Sequence, residues 1–77
     1  MSAATHPRIE TDPAVMGGKP VIRGSRVTVE QILRECARGA TAEEIARQYP
    51  RIAADDVAAA LAFAADYLAH EIVVAAE

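Results

Sequence analysis

The sequence predicts a mainly α domain of three helices, two of them joined as a helix-turn-helix, preceded by a short β-hairpin arm. Three observations carry that expectation. Two capping boxes, Thr28 with Gln31 and Thr41 with Glu44, each open an apolar run at helical spacing. Hydrophobic residues make up 52% of the chain and aromatics only 4%, with alanine prominent, which suits close helix packing better than a sheet core. Ahead of the first box, two β-branched runs flank Gly24-Ser25, a glycine-first pair that fits a two-residue type II′ turn.

The elements follow in order. Residues 1–8 lack periodicity and read as a flexible N-terminus; residues 9–77 form one domain, with 9–29 an extended arm and 28–75 helices. The stretch RIETDP is extended and stops at the Asp12-Pro13 turn signal. In PVIRGSRVTV, Pro20 opens the first strand of the hairpin, and Arg23 and Arg26 face each other across its turn. Like charges so placed repel mildly, so the tip either meets an anion or leaves two arginines to solvent. Thr28 caps the first helix, Val27 can staple onto Ile32, and Gly39 ends it. Thr41 caps a second helix that Pro50 terminates near Tyr49. The third starts near Ala54, with Asp55 and Asp56 favourably placed in its first turn, and shows an apolar stripe of Val57, Ala60, Leu61, Ala64, Tyr67, Leu68 and Ile72. It is about twice as long as the first two spans, so its far end, Ile72 to Ala76, projects as an apolar contact surface.

Composition excludes several classes. A chain of 77 residues buries only about 60% of its unfolded surface and needs help from a staple or a partner. With Cys36 the single cysteine, no internal disulfide forms; one cysteine and two distant histidines, His6 and His70, do not make a metal site. No cofactor or small-molecule substrate is expected, and self-association as a homodimer is. No apolar run approaches a membrane span and no signal segment opens the chain, which with the unpaired thiol points to the cytoplasm. Gly17-Gly18-Lys19 does not make a phosphate loop, because Pro13 stands where a glycine is required and Pro20 where Ser or Thr is. Cys36 falls on an apolar helix face and reads as core, and no catalytic constellation is present, so the chain is read as non-enzymatic.

Charge is unevenly spread. Residues 1–52 hold all eight bases and six acids, a balance of +2; residues 53–77 hold five acids and no base, a balance of −5. A positive front and a negative back suit two different partners.

The stretch DPAVMGGKPVIRGSRVTVEQILRECARGATAEEIARQYPRIAADDVAAALAFAADY closely resembles a family of small prokaryotic proteins catalogued as domain of unknown function four-three-three. GGKPVIRGSR followed by EEIARQYP carries the resemblance, which spans residue 9 to about residue 67; Ser25 departs from the family's usual threonine. The resemblance implies a homeodomain-like three-helix fold with an extended N-terminal arm. It also implies a VapB-like antitoxin, which neutralises a PIN-like ribonuclease toxin with one end and represses its own operon by binding operator DNA with the other.

On that reading Leu61, Phe63, Tyr67, Leu68, Ile72 and Val73 supply buried contact with the toxin, and Asp66 and Glu71 complement its basic residues. Lys19, Arg23, Arg26, Arg34 and Arg38 are the expected phosphate contacts. Either candidate reading helix starts with acids, Glu43-Glu44 or Asp55-Asp56, so the arm is the expected DNA-facing part. A stand-alone helix-turn-helix regulator and a structural dimerisation module remain the alternatives.

Overall fold

The computed structural model of the chain describes the backbone of residues 6–76 and the side chains of residues 6–70. In chain order it contains β1 (Ile9–Glu10), β2 (Val21–Ile22), α1 (Val29–Ala37), α2 (Ala42–Gln48) and α3 (Ala54–Ala76), with a 3-10 turn at Met16–Gly18 between the strands. The fold is therefore a three-helix domain carrying a small antiparallel sheet at its N-terminal side.

That sheet pairs β1 with β2, Ile9 opposite Ile22 and Glu10 opposite Val21. The arm is thus closed by the RIETDP segment, and the stretch after Gly24-Ser25 adds only a bridge between Val21 and Thr28. The cause is competition for the same backbone. Ile22 N–H donates to the Val27 carbonyl at 3.0 Å and Val29 N–H to the Pro20 carbonyl at 2.9 Å around that bridge. Val27 N–H, however, turns to Ser25 Oγ at 3.0 Å and Thr28 is committed as the cap of α1, so the pairing stops there. The turn differs accordingly. Ser25 N–H donates to the Ile22 carbonyl at 3.0 Å, which puts Arg23 and Gly24 at its centre. Gly24 has φ +80°, the value that a type II turn requires at its third position. Arg23 consequently sits inside the turn instead of opposing Arg26 across it.

Both capping boxes form. Thr28 Oγ1 accepts from Gln31 N–H at 3.0 Å while Gln31 Oε1 accepts from Thr28 N–H at 2.9 Å. Thr41 and Glu44 repeat the exchange at 3.1 and 2.8 Å. Between the two helices, Gly39 adopts φ +95°; its N–H donates to the Cys36 carbonyl at 2.9 Å and Ala40 N–H donates to Glu35 at 3.1 Å. This Schellman pair satisfies the last carbonyls of α1 and turns the chain at once into α2.

Ile9, Ile22, Val29, Ile32, Ile45, Ile52, Val57 and Ala60 form the core, and Val27, Leu33, Tyr49 and Phe63 pack against it. Every element contributes, so burial of roughly 1.5–3 kcal/mol per large side chain ties arm and helices into one unit. Among the described residues, every buried side-chain nitrogen or oxygen has a hydrogen-bond partner. No helix of the described residues is long and apolar enough to cross a membrane.

Candidate binding surfaces

At about 1.5 Å per residue, α3 extends for about 35 Å, far longer than α1 or α2. Its first half is covered: Val57 and Ala60 are buried, and Phe63 and Ala64 are half-buried against the core. One turn later the same stripe runs out of partners, leaving Tyr67 60% and Leu68 54% exposed. Between this stretch and α1 lies an apolar groove of about 480 Å³. Val29 and Leu33 form one wall, Phe63, Ala64, Tyr67 and Leu68 the other, and Pro20, Thr11 and Glu30 close its end.

Of the residues expected to meet a toxin, the groove gathers Phe63, Tyr67 and Leu68. Leu61 is exposed beside it, at 44%, without lining it. Asp66 is engaged differently: its Oδ2 lies 2.8 Å from His6 Nε2. The His6 ring stands edge-on to Phe63, with centroids 5.4 Å apart, and Phe63 stacks on Tyr67 at 6.3 Å. The N-terminal segment thus braces the groove wall from behind. The side chains of Glu71, Ile72 and Val73 lie outside the described residues.

A second tie from the N-terminal segment involves Asp56, which sequence reasoning assigned only to the start of α3. Its carboxylate is nearly inaccessible, accepts Arg8 Nε at 2.8 Å on one oxygen and Ala53 N–H at 2.9 Å on the other. The hydrogen bond from Arg8 holds the Asp56 carboxyl below its ordinary range, against the opposing effect of burial. Nothing in local sequence pairs residues so far apart.

The five bases expected to contact phosphate are mostly paired. Lys19 and Arg34 both reach Glu30, each at 3.1 Å, and together they hold the Glu30 carboxyl below its usual value, Lys19 foremost. Arg38 meets Glu35 at 2.6 Å. Arg23 donates from Nε to the Pro7 carbonyl at 2.7 Å and approaches Glu10 at 3.8 Å. Only Arg26 of the five has no acidic partner within 4 Å among the described residues. The i,i+4 spacing of Glu30 and Arg34 and the i,i+3 spacing of Glu35 and Arg38 already signal two of these pairs.

Two bases outside that set, Arg47 and Arg51, also lack an acidic partner among the described residues, and both are exposed. Arg51 donates to the Gly24 carbonyl at 3.3 Å, which draws it over the turn that carries Arg26.

Cys36 is half-buried against the core, in keeping with a packing role. Among the described residues, no three His, Cys, Asp or Glu side chains converge to hold a metal ion.

Comparison with known proteins places these features in context. A family model described as "Protein of unknown function (DUF433)" matches residues 9–64. The structure is similar to the crystal structure of a DUF433 member protein from Anabaena variabilis ATCC 29413, at 32% identity and a TM-score of 0.67; the match covers 73% of this chain and 55% of that one. It therefore spans about half of that protein's length. No curated protein matches the chain.

Proposed function

The chain is a member of the DUF433 family, and from that footing we propose that it acts as a cytoplasmic antitoxin, covering a PIN-like ribonuclease and repressing its own operon. The observation that carries the first part is the open apolar groove along α3, where Tyr67 and Leu68 continue the core stripe and are more than half exposed among the described residues. An apolar groove of this kind exposes surface that a partner would bury favourably, and paired helices with a groove between them are a common seat for an amphipathic segment.

Charge supports the choice of partner. Residues 53–77, which contain α3, carry five acids and no base, and of these Asp56 is spent on Arg8. A second copy laid along it would set like charge against like. A ribonuclease must present basic residues to attract RNA phosphates, and those residues complement an acidic, apolar-centred surface. Asp66 enters such a contact already shared with His6, so it is a weaker attractor than its position in the sequence suggests.

The test is to establish whether a neighbouring reading frame encodes a PIN-like ribonuclease and to co-express the chain with that product. The wild-type chain is expected to restore growth and to co-purify with the enzyme. The double variant Tyr67→Ala/Leu68→Asp should fold, because both side chains are more than half exposed, yet lose both effects. Undiminished neutralisation by a folded double variant would reject the groove as the contact surface.

A further inference from the structure

We propose that the protein grips duplex DNA through a phosphate-binding edge formed by Arg26 and Arg51, instead of through the wider set of bases on the arm and α1. The inference rests on the operon-repression part of the function proposed above and is independent of toxin binding.

Charge left uncommitted by acids singles out this edge. Lys19, Arg34 and Arg38 each stand within 3.1 Å of a carboxylate. Exposed pairs of this kind are weak, so a phosphate could break them. It would nonetheless bring its own charge up against Glu30 or Glu35. Arg26 and Arg51 present no such obstacle between them. Both line two adjoining hollows of about 560 and 250 Å³ that share Ser25, at the end of the Arg23-Gly24 turn. The one acid bordering the larger hollow, Glu10, is approached by Arg23.

The geometry also preorganises the pair. Arg51 spends one N–H on the Gly24 carbonyl and keeps its remaining donors, which fixes its side chain over the turn. That turn is rigid: Ser25 Oγ donates to the Ile22 carbonyl at 2.8 Å and accepts from Val27 N–H at 3.0 Å. Arg47, exposed in the last turn of α2, borders a different hollow that it shares with Arg38 and Glu44, so it is not part of this edge. Arg26 and Arg51 beside this braced turn make a pair of planar forks. Such forks match phosphate oxygens better than ammonium groups do.

The experiment measures anisotropy of a labelled mixed-sequence DNA duplex across a salt series, using the full chain. Wild type should bind with log K falling linearly in log salt. Arg26→Ala/Arg51→Ala should weaken binding at low salt by roughly tenfold or more and make the slope shallower by about 1 for each arginine removed. Lys19→Ala/Arg34→Ala should retain most of the affinity. Because Arg26 and Arg51 are exposed, an unchanged circular dichroism spectrum and melt would show that the first variant is folded. Arg26→Lys/Arg51→Lys should recover the slope but only part of the affinity.

Wild-type binding that survives in the folded Arg26→Ala/Arg51→Ala variant with its slope intact would overturn the edge while leaving DNA binding standing. Absence of duplex binding by the wild type would overturn both. A parallel titration with inorganic phosphate separates the sources: saturable phosphate binding without duplex binding would make this a small-anion site and reject the proposal.

Discussion

Arg8 Nε donates to Asp56 Oδ1 at 2.8 Å across 48 residues of sequence, so the segment before β1 is fastened to the first turn of α3. The same carboxylate holds Ala53 N–H, which makes Asp56 both a tertiary tie and a helix cap.

Asp56→Ala is expected to destabilise the fold by about 2 kcal/mol, the scale for losing hydrogen bonds to a charged group. Chemical denaturation at neutral pH measures it. The pH dependence has a definite sign. Arg8 depresses the folded carboxyl below its ordinary 3.8, so its stabilisation is complete above that value. It disappears as pH falls further, once the unfolded chain takes up a proton that the folded one refuses. The gap between wild type and variant should therefore be constant near neutrality and narrow below about pH 4; a gap that widened on acidification would exclude this tie.

The capping boxes make a second prediction. Thr41→Ala should cost about 1 kcal/mol, typical of a lost N-cap. Thr28→Ala should cost more, because Thr28 is only 3% exposed and leaves Gln31 without its partner in a buried setting. Serine at either site should recover most of the loss. Thermal melts of the four variants rank them.

Core and groove should respond oppositely to truncation. Ile45 is fully buried, and Ile45→Ala is expected to cost about 2–5 kcal/mol. Leu68, more than half exposed, should change stability by less than about 0.5 kcal/mol when truncated to alanine. A large loss at Leu68 would mean that the groove is already filled from within the chain.

Gly39→Ala should destabilise by about 1–2 kcal/mol through backbone strain alone. A Cβ there meets nothing within 4 Å, so sterics with neighbours contribute nothing, but φ +95° is hostile to an L side chain. Asparagine should be tolerated better than valine; equilibrium unfolding of the three variants decides.

The features legible in the sequence are those that residues settle within a few positions. Thr28, Thr41, Gly39 and Pro50 determine where helices begin and end through their own side chains or dihedrals, and each acts as its residue type dictates. The overlong α3 is equally plain, because the stripe through Val57, Ala60, Ala64 and Tyr67 simply outlasts α1 and α2. Strand pairing was not legible. That β2 pairs with Ile9 on one side, and with the Val27-Thr28 stretch on the other for only one bridge, depends on burying Ile9 and Ile22 together and on Thr28 being taken by α1, neither of which the turn residues reveal. The basic residues were half legible. The pairs within α1 follow from spacing, whereas Lys19 reaching Glu30 and Arg51 reaching Gly24 depend on tertiary closure.

The connector from Pro20 to Val29 touches both candidate surfaces: Pro20 and Val29 border the groove, while Val21, Ser25 and Arg26 border the arginine hollows. A ligand that stiffened this connector from one side would stiffen the support of the other, without sharing a contact with it. Whatever factor the first ligand imposes on the affinity of the second, the second must return to the first, as linkage requires. Ribonuclease supply would then tune operator occupancy through one short stretch of backbone.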